Sequence, residues 1–140
     1  MSNPVNHDLG ASLFPTGSQA AGTFYSTAPG ATQAGQSTSS GVWNNLTNTA
    51  CRGLSLFVSV TAATGTLTVY VEGYDVASGL WYTILASAAL GVTTQRLLVY
   101  PGATVTTNVS ADDVLPATFR IRMVVAGGNV TATVGGCLLV

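Results

Sequence analysis

Residues 53–86 alternate apolar and polar side chains with a period of two, and this alternation limits the possible folds more than any other feature of the chain. Leu54, Leu56, Val58 and Val60 fall on one parity, and Ser55, Ser59 and Thr61 on the other. Leu67, Val69 and Val71 repeat the pattern against Thr66, Thr68 and Glu72. A period of two filled with β-branched and aromatic residues marks half-buried strands. Ala62-Ala63-Thr64-Gly65 joins the first two runs, and residues 75–79 join the second to residues 80–86. The spacing predicts an antiparallel meander whose apolar face needs a second layer. In the third run Trp81, Thr83 and Leu85 share one parity, and Leu80, Tyr82 and Ile84 the other. Apolar residues on both parities predict a strand that is central or covered on both sides.

The alternation continues to the last residue. Residues 42–50 read as a first or edge strand, 94–100 as a strand stopped by Pro101-Gly102, and 103–109 as a short one. Residues 117–126 put Phe119, Ile121, Met123 and Val125 on one face, with Arg120 and Arg122 on the other. Gly127-Gly128-Asn129 reads as a hairpin connection to a closing strand, with Val130, Ala132 and Val134 inward and Thr131 and Thr133 outward. Gly135-Gly136 predicts a bulge or a crowded approach. Seven or eight short strands, and no segment with a helical period, predict an all-β antiparallel β-sandwich. The pattern leaves jelly-roll and immunoglobulin-like strand orders both open.

Residues 1–41 differ from residues 42–140, which form the predicted sandwich domain. They are rich in Ser, Thr, Gly, Ala and Gln, and their apolar residues occur as islands, Leu13-Phe14 and Phe24-Tyr25. A free tail of this composition would be disordered. The islands point instead to an extended arm that docks Phe14, Phe24 and Tyr25 into a neighbouring subunit. With Arg120 and Arg122 these are the candidate partner contacts. The two arginines, and Arg96 if it shares their face, are placed to pair with Glu72 or with a partner's carboxylates.

Chemistry is sparse. Charged residues make up 6% of the 140 residues, against roughly 25% in an average soluble protein. There is no lysine, and the net charge is −1. That excludes the basic stripe a nucleic-acid partner needs and the cationic patch an anionic membrane attracts. A surface so poor in charge is either hydroxyl-rich and solvated or covered in an assembly; the second reading is preferred. No secretory signal is evident in the first residues, so cytoplasmic synthesis is expected. His7 is the sole histidine, so no histidine-based triad or metal site is expected. Asp112-Asp113, the one acidic pair, lacks the further oxygen ligands calcium needs and reads as a turn. Asp75 reads as the start of a turn. Cys51 and Cys137 read as small reduced residues, although neighbouring first and last strands would bring them close. Trp43, Tyr74, Trp81, Tyr82 and Tyr100 raise a sugar-stacking possibility, but strand aromatics usually belong to the core. Asn45, Asn108 and Asn129 match the glycosylation pattern and read as turn or strand-edge residues. No catalytic residues, cofactor or metal are expected, and the chain is not expected to be an enzyme.

From Arg52 to Val140 the chain resembles small all-β structural proteins of tailed bacteriophages. The resemblance lies in Arg52-Gly-Leu-Ser-Leu-Phe-Val-Ser-Val-Thr, Tyr74-Asp-Val-Ala-Ser-Gly-Leu-Trp-Tyr, Leu98-Val-Tyr-Pro-Gly and Asp113-Val-Leu-Pro-Ala-Thr-Phe-Arg-Ile. It implies a virion protein made in the host cytoplasm, a decoration or cement protein on the capsid exterior. The implied partners are the major capsid protein and copies of the chain itself, taken as trimers. A tail or head-to-tail neck component is the alternative, and a carbohydrate-binding module the second.

Overall fold

A computed structural model describes residues 7–9, 12–26, 46–48 and 50–140. The described residues hold ten strands and no helix. They are β1 (His7–Asp8), β2 (Gly22–Tyr25), β3 (Leu46–Thr47), β4 (Gly53–Ala63), β5 (Thr66–Asp75), β6 (Leu80–Ala86), β7 (Thr93–Val99), β8 (Ser110–Ala111), β9 (Thr118–Ala126) and β10 (Val130–Leu139). The first sheet runs β1-β10-β4-β7-β8. The second runs β2-β9-β5-β6, with β3 also pairing with β9. Every pairing is antiparallel except β7 with β8.

The core lies between the sheets, and the period of two places its residues. Leu54, Leu56, Val58 and Val60 of β4 meet Leu67, Val69 and Val71 of β5, all at most 3% exposed. Phe119, Ile121, Met123 and Val125 of β9 point inward, as do Val130, Ala132 and Val134 of β10. Burial of this kind stabilises by roughly 25 cal/mol per Å² of apolar surface.

The predicted meander is not one. β4 pairs with β10 and β7 in the first sheet, and β5 with β9 and β6 in the second. The turn at Thr64-Gly65 is a corner that carries the chain between layers. Gly127-Gly128-Asn129, expected as a hairpin, is the matching corner from β9 to β10. The corners dock on each other: the Thr64 and Gly65 amides donate to the Asn129 carbonyl at 2.8 and 3.3 Å, and the Asn129 amide donates to Thr64 Oγ1 at 2.9 Å. A Cβ at Gly65 would lie 2.3 Å from the Ala126 carbonyl oxygen, and one at Gly128 would lie 2.7 Å from the Gly65 nitrogen. Glycine is needed here because two backbones touch. Residues 103–109 form no strand; the short pairing falls at Ser110–Ala111. The irregularity in β10 lies between Thr131 and Ala132, and Gly136 is the crowded position, under Leu9 and Leu56.

The leading segment also departs from expectation. Over its described residues it belongs to the sandwich. β1 extends the first sheet beside β10, and β2 extends the second beside β9. Between them Leu13 and Phe14 are 1% and 0% exposed, and Phe14 meets Phe24 edge to face at 5.3 Å between ring centroids. The boundary placed at residue 41 therefore does not separate these strands from the domain. The rest of the predicted arm, and most of the strand predicted over 42–50, lie outside the described residues.

Candidate interaction surfaces

β9 and β5 each turn polar residues outward on the second sheet, and the register brings the opposite charges together. Arg120 lies opposite Glu72, and Arg122 opposite Tyr70 on one side and Tyr25 on the other. Arg120 Nε donates to Glu72 Oε1 at 2.8 Å, and Arg122 Nε lies 3.2 Å from the same oxygen. Thr83 Oγ1 on β6 lies 3.5 Å from Glu72 Oε2, the outer limit of a hydrogen bond. The Arg120 guanidinium sits between two rings, 4.6 Å from the Tyr25 centroid and 4.2 Å from that of Trp81. Arg122 covers Tyr70 at 3.9 Å. Tyr74 and Trp81 complete the layer, with ring centroids 5.0 Å apart.

This outer face is therefore closed. Glu72 is only 5% exposed although it points away from the core. A carboxylate out of water is tolerated when it is paired and hydrogen-bonded, and two guanidiniums supply that here. Aromatic faces in turn attract the guanidiniums through the ring quadrupole. Of the predicted partner contacts, Tyr25, Arg120 and Arg122 are brought together around Glu72, within one chain. Phe14 and Phe24 lie inside the sandwich. Trp43, one of the aromatics considered for sugar stacking, lies outside the described residues.

The outer face of the first sheet is built differently. Phe57 of β4 has Gly135 of β10 opposite it on one side and Arg96 of β7 on the other. With no side chain at Gly135, the Phe57 ring is 53% exposed. Ser55 has Cys137 and Leu98 beside it, and Ser59 has Thr133 and Thr94. Arg96, grouped in sequence with Arg120 and Arg122, is on this sheet instead, where its Nε donates to Ser55 Oγ at 3.0 Å. At one end Tyr100 donates to the Val140 carbonyl at 2.6 Å, and a Cβ on Gly53 would lie 2.6 Å from the Tyr100 ring. Leu98, Leu139, Pro101 and Val140, together with Arg96 and Tyr100, line a shallow hollow of mixed character there. Phe57 escaped the residue-by-residue reading. Its parity opposite Leu54, Leu56, Val58 and Val60 was the available signal, since it makes the ring outward.

The remaining carboxylates organise turns. Asp75 accepts the Ser78 hydroxyl at 2.6 Å and the Ser78 and Ala77 amides at 3.1 and 3.4 Å. The Ser78 hydroxyl, then the Ser78 amide, hold its pKa below the ordinary carboxylate value. Asp112 Oδ1 accepts the Gly102 amide at 2.6 Å, and Asp113 Oδ1 that of Val114 at 2.7 Å. Asn108 has a φ of 62° and donates its side-chain amide to the Ala86 carbonyl at 3.0 Å. Cys51 is buried and Cys137 half-buried, both as thiols. Among the described residues no group of three or more His, Cys, Asp or Glu side chains is placed to hold a metal ion, and no helix is long and apolar enough to cross a membrane. No protein-family model matches the chain, and the comparison with curated proteins finds no match.

Proposed function

We propose that this chain is a structural protein of an assembled particle, and that the outer face of its first sheet is the surface it presents to that particle. The observation that carries this reading is Phe57, 53% exposed on a face whose charged positions among the described strands are Arg96 of β7 and, by register, Asp8 of β1. Burial of the ring is favourable, and the serines and threonines around it cost less to dehydrate than charges would, provided that a partner supplies hydrogen bonds to their hydroxyls. The resemblance to tailed-phage structural proteins names the particle: a phage capsid, with the chain bound outside as a decoration or cement protein. The major capsid protein is the proposed partner of this face, and copies of the chain, taken as trimers, the further one. Arm exchange between copies then takes the form of residues 12–26 seated in a neighbour's core in the manner they occupy their own. A tail or neck position would use the same face and differ in what it meets.

A sugar-binding reading has one observation in its favour, the paired rings of Tyr74 and Trp81 on a single hairpin. One face of Trp81 is already taken by Arg120, which leaves less ring for stacking. A glycan array with the wild type and Trp81→Ala tests it, and binding to no glycan removes it.

Particle binding is tested by adding purified chain to undecorated capsids and locating it by cryo-electron microscopy. Phe57→Asp is expected to fold and to lose binding, while undiminished binding by that variant would overturn the assignment of the face. Deletion of residues 1–40 is a poorer test, because it removes Leu13, Phe14 and Phe24 from the core.

A further inference from the structure

We propose that the free edge of β6 and the groove beside it form a strand-addition site for an extended segment of a partner protein carrying lysine or arginine. Such a site does not depend on the particle reading and could exist without it.

The four sheet edges among the described residues are unequal. β1 and β8 have 2 residues each and β2 has 4, while β6 has 7. Short edges offer little backbone for another chain to pair with, and natural sheets commonly protect longer ones with charge or proline. β6 reads Leu-Trp-Tyr-Thr-Ile-Leu-Ala and contains neither. Its protection is a register shift that leaves Ile84 without a partner on β5, and residues 105–113 beside residues 83–86, while residues 80–82 are left without such cover. It pairs with β5 on one side, and no strand pairs with its other side among the described residues. Leu80 and Tyr82 are 66% and 45% exposed. The sequence predicted a strand that is central or covered on both sides from these apolar residues; the strand is at the edge, and its apolar character is left partly uncovered.

Opposite Thr83–Ala86, residues 105–113 stand off from the edge and enclose a groove of about 410 Å³. That is within the range of roughly 300–1,000 Å³ that holds small ligands, so several side chains fit. The Asn108 side chain closes one end by donating to the Ala86 carbonyl. Asp112 and Asp113 are among the residues that line the groove and are its acidic groups. Each spends one carboxylate oxygen on a backbone amide, and no ion pair involves either among the described residues. An incoming strand would gain main-chain hydrogen bonds from the edge, and a cation on it would meet these carboxylates.

A second copy of β6 fits less well. It brings no cation, and antiparallel pairing would carry Asp112 and Asp113 of one copy toward the Asp75 turn of the other, carboxylate toward carboxylate.

The test titrates the full-length, nitrogen-15-labelled chain with two alternating Thr/Val peptides, as long as β6, bearing a central lysine or a central glutamate. The lysine peptide is expected to shift amide signals of residues 83–86 and 105–113. Affinity should fall about tenfold with the glutamate peptide, or in the double variant Asp112→Asn, Asp113→Asn. Each asparagine keeps one carbonyl oxygen to accept the backbone amide that Oδ1 of the aspartate accepts, so the turns stay formed, and signals away from the groove verify this. Equal binding of the two peptides would overturn the proposal, as would no shift in β6 at millimolar peptide. Concentration-dependent shifts of β6 without peptide would also overturn it, by assigning the edge to a second copy.

Discussion

The two sheets have like inner faces and unlike outer ones. On the second sheet, β5 and β9 point Glu72, Arg120 and Arg122 outward, and Tyr25, Tyr70, Tyr74 and Trp81 pack around them until the carboxylate is 5% exposed. On the first, β4 and β10 point serine, threonine and glycine outward, and Phe57 stands 53% exposed above Gly135. The second face is a small ionic and aromatic layer complete within the chain; the first is unfinished. Low overall charge therefore has two meanings in one molecule. Three of the nine charged residues are spent inside one outer layer, and the opposite face carries Arg96 and, by register, Asp8 among serines, threonines and glycine.

If the second face is closed by its ion pairs, Glu72→Ala should cause the largest change. It leaves Arg120, whose side chain is 11% exposed, without its carboxylate. Breaking a buried pair from one side costs about 3 kcal/mol or more. Chemical denaturation should show a loss of that order, partly recovered when Arg120→Met is added. A loss below about 1 kcal/mol would mean that the layer is solvated and the contrast between the faces is superficial.

Trp81→Ala comes next. It removes one of the two rings enclosing Arg120 and the partner of Tyr74. Cation–ring attraction of about 0.5–2 kcal/mol and a ring pair of about 0.5–1.5 kcal/mol suggest a loss near 2 kcal/mol. The same denaturation measurement checks it. Phe57→Thr, on the other sheet, should change stability by no more than about 0.5 kcal/mol, as exposed substitutions usually do, and threonine suits a strand. A loss as large as that from Trp81→Ala would show that the first face is also a packed layer, and the comparison would fail.

Much of this was legible in the sequence. The inward residues of β4, β5, β9 and β10 follow from parity, because side chains of a strand alternate between faces. Parity also set Arg120, Arg122 and Glu72 outward, and pairing with Glu72 was one of two options for the arginines. Parity does not name a strand's neighbour. Thr64-Gly65 and Gly127-Gly128-Asn129 suit a tight hairpin or a corner between sheets equally, so β4 with β5, and β9 with β10, were assigned the wrong partners. The same gap hid the place of β6: Leu80, Tyr82 and Ile84 look buried in sequence, yet the strand order leaves them at an edge. Phe14 and Phe24 sit in islands with no period, and only the three-dimensional structure reveals that they enter this chain's own core.

Glu72 and Asp75 lie three residues apart on β5 and give the finest form of the contrast, one carboxylate sealed and one in water. Among the described residues no cation pairs with Asp75; the Ser78 hydroxyl and amide and the Ala77 amide hold its pKa below the ordinary value. A carboxylate with a lower pKa folded than unfolded stabilises the fold above its unfolded pKa, near 4. That contribution is lost as pH falls through the lower, folded value. Wild type should thus exceed Asp75→Asn in stability by a small margin that is constant above about pH 5 and shrinks steadily in more acidic solution. Paired melts from neutral to acidic pH measure it. A margin that instead grew on acidification would mean that the protonated form is the one the turn prefers, and the hydrogen bonds to Ser78 would need another explanation.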